Sequence, residues 1–290
     1  TYQKVKLIDV VLETLAHSDL LKSAREKVIQ FEIKVDDAIA NTYPTLDFEY
    51  SYGRTQEDPS GEDGKKYKFF HDKNYRIVLR QNIYSGGANE YEIKSVGKKL
   101  EVAQNQYRIV LEEEIKKAIK AYFGVVFANR TVIVNERNMK KLNKILQIVT
   151  TKYDNGAASI ADLTSIKASV ANAMTKLVKV KSKFIESIRF YEYIVGGNFD
   201  KTLPYEKDFE VTINKFDDLF DRAIDRNRNL FNYYKSIEAE VFKAKNNEAL
   251  FKPKLDFEVS YKKIFDKEDF EEREDALNTK VKMTYNIFNG

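Results

Sequence analysis

The chain has 290 residues, 49 Lys and Arg against 45 Asp and Glu, and a net charge of +4 with both signs interspersed. Zero cysteine excludes disulfides, thiolate metal sites and a cysteine nucleophile; two histidines, His17 and His71, are too few for an imidazole-rich metal centre and leave little for His-based catalysis. No basic stripe marks a nucleic-acid interface, and no apolar run reaches the roughly 18 residues of a transmembrane helix, so a membrane crossing would fall to strands.

Thr1 to Val5 carry no signal-peptide pattern, and residues 5–40 form a charged stretch with apolar residues at helical spacing. The run Tyr43-Pro44-Thr45-Leu46-Asp47-Phe48-Glu49-Tyr50-Ser51-Tyr52 then alternates strictly. Leu46, Phe48, Tyr50 and Tyr52 belong to one face of a strand, and Asp47, Glu49 and Ser51 to the other. After a charged loop over 53–73, a second strand sets Tyr75, Ile77 and Leu79 against Arg76, Val78 and Arg80. Each strand reads as about nine residues, the length that crosses a bilayer when tilted.

Between Pro59 and Pro204 there is no proline. Residues 87–153 read as one helix, about 100 Å long at 1.5 Å per residue. Apolar residues recur at Ile93, Val96, Leu100, Ala103, Tyr107 and Val110, slip register, and resume at Met139, Leu142, Leu146, Val149 and Tyr153. The alternating steps of three and four are the heptad pattern of knobs-into-holes packing. Asn155-Gly156 supplies a turn, and Ser159 or Asp162 can satisfy free amides where the next helix starts. That helix, 159–193, carries Leu163, Ile166, Val170, Ala173, Leu177, Val180 and Phe184 at heptad spacing and stops at Gly196-Gly197-Asn198.

The beginning then returns. Residues 209–250 are again charged and apolar-periodic, and Lys252-Pro253-Lys254-Leu255-Asp256-Phe257-Glu258-Val259-Ser260-Tyr261 repeats the first strand. Leu255, Phe257, Val259 and Tyr261 oppose Asp256, Glu258 and Ser260. Beyond a charged connection over 262–278, Val281, Met283 and Tyr285 oppose Lys282, Thr284 and Asn286. Met283-Thr284-Tyr285-Asn286-Ile287-Phe288-Asn289-Gly290 matches Leu79-Arg80-Gln81-Asn82-Ile83-Tyr84-Ser85-Gly86. The chain is thus a duplicated unit of helix, strand, loop and strand. The acidic loop 266–275 lacks an EF-hand pattern and reads as solvated surface, so no metal site is expected.

Alternation alone leaves two readings open. One is a soluble coiled-coil interaction protein whose sheet is half buried on helices. The other is a set of membrane strands, with aromatic residues at both ends of the apolar face and an ionic opposite face. On the second reading Leu46, Phe48, Ile77, Leu79, Phe257 and Met283 face lipid. Asp47, Glu49, Arg76, Arg80, Glu258 and Lys282 face a water-filled lumen.

Three segments, in order, resemble the TolC family. Tyr43-Pro44-Thr45-Leu46-Asp47 is similar to its lead-in to the first strand, and Arg80-Gln81-Asn82-Ile83-Tyr84-Ser85-Gly86-Gly87 to its passage from second strand to long helix. Tyr153-Asp154-Asn155-Gly156-Ala157-Ala158-Ser159-Ile160-Ala161-Asp162-Leu163 resembles its hairpin tip. The resemblance implies a mainly α fold with β. Long antiparallel coiled-coil helices (1–43 and 86–251) would form a periplasmic α-barrel, and four strands per protomer (44–85 and 252–290) part of a trimeric, twelve-stranded outer-membrane β-barrel. The two repeats span about 1–200 and 205–290, and the family pattern goes on to a second helical hairpin that the residues up to Gly290 do not include.

It also implies a passive exit duct in the bacterial outer membrane, reaching into the periplasm, with no enzymatic activity and no cofactor. An inner-membrane transporter would drive it through a periplasmic adaptor. Type I protein secretion is the expected cargo route, with small-molecule efflux as the alternative. Asp162 takes the position of a periplasmic gate residue, and Asn155, Gly156 and Ala157 that of the adaptor-contacting tip. There the sequence departs from the family's best-known form, which has an apolar residue, Gly and Leu.

Overall fold

Apolar periodicity, N-caps and strand alternation dictate the element order in the computed structural model, which describes residues 5–57, 68–199, 203–204, 216–265 and 274–287. The helices are α1 (Leu7–His17), α2 (Asp19–Ala40), α3 (Ala88–Asp154), α4 (Ile160–Val195), α5 (Phe216–Asp225) and α6 (Arg228–Ala249). The strands are β1 (Thr45–Glu57), β2 (Lys68–Tyr84), β3 (Lys254–Phe265) and β4 (Glu274–Thr284). Residues 209–215, the acidic segment 266–273 and Gly290 fall outside the described residues, as does the side chain of His71.

The helical stretch expected over 5–40 is two helices. Ser18 interrupts it because its backbone is extended and its Oγ accepts the Leu21 N–H at 3.2 Å, which starts α2. The second copy breaks in the same way. Asn227 accepts the Asn229 and Leu230 amides at 3.0 and 3.2 Å and starts α6. Both capped helices have 22 residues. Helix starts, helix ends and strand starts in the two copies keep one offset (19 to 228, 40 to 249, 45 to 254). The duplication read in the sequence is therefore a duplication of structure.

Two compact units are formed, one from residues 1–26 and 106–226, the other from 27–105 and 227–290. In the first, Val5, Val10, Ala121, Tyr122, Val125, Val126, Tyr191 and Val195 are buried together, so α1 packs on α4 and the middle of α3. The Tyr122 hydroxyl donates to the Pro204 carbonyl. Towards the turn, the heptad residues Met139, Leu142, Leu146 and Val149 are half-buried, as are Ile166, Val170, Ala173, Leu177, Val180 and Phe184, while Leu163 is buried. Lys181 reaches Glu136 at 2.9 Å, which ties α4 to α3 as an antiparallel hairpin. α3 runs through Gly124 without a break.

In the second unit α6 lies antiparallel to the start of α3 along a polar seam. Ser95 donates to the Ala239 carbonyl at 3.0 Å, and Asn105 to Asn232 at 2.7 Å. Lys98 contacts Glu101 and Glu238 at 2.7 and 3.2 Å, and Lys235 the same two carboxylates at 3.3 and 3.2 Å. Hydrogen bonds to Glu101 and Glu238 hold the Lys98 ammonium well above the usual lysine range, and Lys98 pulls both carboxylates down.

The sheet is antiparallel in the order β1-β2-β3-β4, leaving β1 and β4 as edges. With 13, 17, 12 and 11 residues, the strands exceed the nine or so expected, because both hairpins extend into the segments that read as loop, the first of them furthest. There Gly53 pairs with Asp72 and Glu57 with Lys68.

Candidate functional site

Strand pairing puts opposed residues on the same face of a sheet, so register decides which side chains meet. Leu46, Leu79 and Val259 stand in one row, and Phe48, Ile77, Tyr261 and Leu277 in the next. Leu255 pairs with Met283 and Phe257 with Val281 on the same face. In the single chain this face is bare: Leu46 is 70% exposed, Phe48 65%, and Val281 and Met283 64% each. Tyr75 stacks near Tyr50 and Phe48, with ring centroids 5.0 and 6.3 Å away.

The opposite face is ionic, and around Glu258 its sign alternates from strand to strand, although further along β3 Lys262 stands opposite Arg76. Arg80 of β2 bonds Asp47 of β1 at 2.6 Å and Glu258 of β3 at 3.5 Å. Arg76 reaches Glu49 at 3.4 Å and Glu258 at 3.8 Å, and Lys280 of β4 closes on Glu258 at 3.0 Å. Five of the six side chains expected to line a lumen are thus joined in one ladder. The sixth, Lys282, shares their face but has no ion-pair partner among the described residues. Val78 also belongs to this face yet is fully buried, because it lies between Arg76 and Arg80 along its strand and between Asp47 and Ser260 across it. Long charged side chains cover it with their stems.

The pattern reading missed Lys280, although it alternates with Lys282 and, like it, has an acidic residue directly opposite; Glu258 pairs with Lys280, whereas Asp256, opposite Lys282, is taken by Asn82 and Lys254. It also missed the polar junction below the ladder. Gln81 donates to the Thr42 carbonyl at 2.9 Å, Asn82 to Asp256 at 2.8 Å, and Asn89 to Asn82 at 3.3 Å. Two residues of the strand-to-helix motif therefore pin β2 to its surroundings. Gly86 completes the passage at φ 68°, where a Cβ would come within 2.7 Å of the Ala249 carbonyl oxygen and Lys252 Cβ.

The helical turn is built by capping. At the end of α3 the Ala157 N–H bonds the Lys152 carbonyl at 2.7 Å and the Gly156 N–H that of Tyr153 at 2.9 Å, a Schellman closure with Gly156 at φ 73°. Asn155, Gly156 and Ala157 are exposed. Ser159 caps α4 by accepting the Asp162 N–H at 3.1 Å. Asp162 accepts the Ser159 N–H at 3.0 Å and its hydroxyl at 2.6 Å, and these bonds hold the carboxyl below the usual aspartate range. Within one chain, then, Asp162 is the reciprocal half of a capping box.

No helix among the described residues is long and apolar enough to cross a membrane. A bare apolar band backed by an ionic ladder, on a sheet joined to a long helical hairpin, defines the class: strands of a membrane channel carried on a helical stem. Residues 10–188 match the family described as outer membrane efflux protein, and the chain belongs to that family, one of outer-membrane channels rather than enzymes. No curated protein matches the sequence. Among solved structures, CusC superposes with a TM-score of 0.82 at 13% identity, over 99% of this chain and 67% of its own. VceC of Vibrio cholerae gives 0.79 at 16%, over 98% and 69%. The CmeC outer membrane channel of Campylobacter jejuni gives 0.75 at 16%, over 97% and 61%. The chain spans about two thirds of the length of these proteins, and the likeness establishes the fold.

Proposed function

We propose that the chain is one protomer of a homotrimeric exit duct, a passive conduit driven by an inner-membrane transporter through a periplasmic adaptor. The observation that carries this reading is the two-faced sheet with two unpaired edges. Four strands cannot close on themselves, and an open edge cannot face lipid, so strands with this apolar face need further copies to complete a barrel. The helical segments 1–43 and 86–251 would then lie in the periplasm, the strand segments 44–85 and 252–290 in the outer membrane, and the ionic face would line the lumen. Fractionation of the full-length protein, followed by sizing in detergent, tests this. The expected result is an outer-membrane species of three chains, and a stable monomer without detergent sinks the reading.

For cargo, the Tyr43-Pro44 lead-in and the charged segment after the first strand favour type I protein secretion. Loss of protein export on gene deletion, with unchanged susceptibility to small toxic compounds, is the expected outcome. The reverse pattern assigns small-molecule efflux. The exposed turn at Asn155, Gly156 and Ala157 is the surface offered to the adaptor. Asp162 is proposed as a gate residue because it is exposed and its Oδ1 has no partner among the described residues, so it can accept charge-assisted bonds from a neighbouring helix. Asp162→Ala should raise ion conductance in planar bilayers with the trimer intact; unchanged conductance reduces Asp162 to its capping role.

A further inference from the structure

The ionic ladder is unequally satisfied, and the inequality lies at the edges. Glu258, inside the sheet, has three cations within 3.8 Å and its side chain is only 18% exposed. On the β1 edge Asp47 and Glu49 have one cation each and are 46% and 54% exposed. On the β4 edge Lys280 shares the already crowded Glu258, and Lys282 has no ion-pair partner among the described residues. One free edge is therefore acidic and the other basic, on the same face of the sheet.

We infer that Lys280 and Lys282 of one protomer pair with Asp47 and Glu49 of the next, and that these ion pairs select the register of the protomer–protomer seam. The occupant of each edge is a second copy of this chain, so the inference rests on the homotrimeric reading above. At the ladder residues the signs run minus (Asp47, Glu49), plus (Arg76, Arg80), minus (Glu258), plus (Lys280, Lys282) from β1 to β4, and head-to-tail closure of β4 on a neighbouring β1 continues that order at these positions.

Geometry narrows the register further. In an antiparallel seam that keeps the faces, the alignment placing Asp47 opposite Lys282 also places Glu49 opposite Lys280. It sets Leu46 against Met283 and Phe48 against Val281 on the apolar face. The row Leu46–Leu79–Val259–Thr279 then meets Tyr50 of the next copy, an advance of four residues per protomer. Over three copies the shear equals the strand number, as in an eight-stranded barrel tilted by about 36°. An advance of six gives a steeper tilt of roughly 45–50° and leaves Glu49 opposite Lys282, with Asp47 on the diagonal, still within reach of a long side chain. An advance of two would tilt the strands by only about 20°, too flat for a membrane barrel. Both usable registers seat Glu49 against a lysine.

The chain has no cysteine, which makes the test clean. Glu49→Cys combined with Lys280→Cys or Lys282→Cys, in the full-length protein in its membrane, should give chains cross-linked to one another on mild oxidation. A bond within one chain is out of reach, since β1 and β4 are three strand spacings apart, about 14 Å, against the roughly 6 Å that a disulfide spans between Cα atoms. Tyr50→Cys with Lys280→Cys, on opposite faces, should not cross-link. In parallel, Lys282→Glu should lower the yield of heat-resistant trimer several-fold at low salt, with the deficit narrowing near 1 M salt. Cysteine-pair variants that form trimers yet fail to cross-link at either pair, together with a trimer yield indifferent to Lys282→Glu, overturn the seam and leave the trimer standing. A wild type that is not a trimer overturns the proposed function instead.

Discussion

The two strand hairpins are copies of one sequence, and they differ where their surroundings differ. Glu49 with Arg76 in the first corresponds to Glu258 with Lys280 in the second, and both pairs sit directly opposite in register. Val78 corresponds to Lys282, and Arg80 to Thr284. The residue at the centre of β2, flanked by strands on both sides, is thus buried and apolar, while its counterpart on the edge strand is a bare lysine. Asp256 lacks the arginine that Asp47 has and turns to Lys254 at 3.4 Å. A duplicated hairpin keeps its shared pair and changes the position whose neighbour has become another molecule or solvent.

The sharpest way to break this comparison is to charge the apolar face of each hairpin. Ile77→Arg and its counterpart Val281→Arg should each cost about 2–4 kcal/mol of assembly if both sites lie near the bilayer midplane. Refolding into lipid vesicles across a urea series measures it. An effect in only one hairpin would mean that the two do not share a medium.

A smaller effect is expected at the strand-to-helix passage, which only the first copy completes within the described residues. Gly86→Ala should cost about 1–2 kcal/mol for the left-handed backbone, and more for the collision with the Ala249 carbonyl. Gly156→Ala carries the backbone cost alone, because nothing lies within 4 Å of its Cβ position. Thermal unfolding of the two variants side by side should rank them in that order.

The helix caps compare the repeats more finely. Ser18→Ala and Asn227→Ala should each cost about 1 kcal/mol, with Asn227 the larger because it accepts two amides rather than one. Hydrogen exchange in the first turns of α2 and α6 reads this directly, and equal effects would show that the second bond adds nothing.

The smallest effect is that of acid on the α4 cap. Ser159 lowers the Asp162 pKa, so this carboxylate stabilises the fold above its unfolded value of 3.8 and loses that contribution as pH falls through its folded value. Protection of the Ser159 amide should decline over that range in the wild type and be flat in Asp162→Asn.

Much of this molecule was legible in local pattern. The heptads of α3 and α4, the Gly156 turn and the strand faces came out as read, because a helix or strand face is determined by spacing along one segment. The reading of 5–40 as one stretch failed for a related reason: Ser18 is a single cap, and apolar spacing on either side conceals it. Strand length was underestimated because Gly53, Arg54 and the polar residues after them lack alternation, and only pairing with 68–72 keeps them extended.

The sequence by itself determined which side chains share a face, where the helices turn, and that the unit occurs twice. Only the tertiary structure decided which charges meet. Glu258 gathers Arg76, Arg80 and Lys280 from two other strands, and Val78 disappears beneath the charged side chains around it. Those outcomes depend on register between segments up to about two hundred residues apart, and on how many partners a given strand has on each side. A one-dimensional pattern contains neither, because ion pairing is set by distances of a few ångströms across strands rather than by order along the chain.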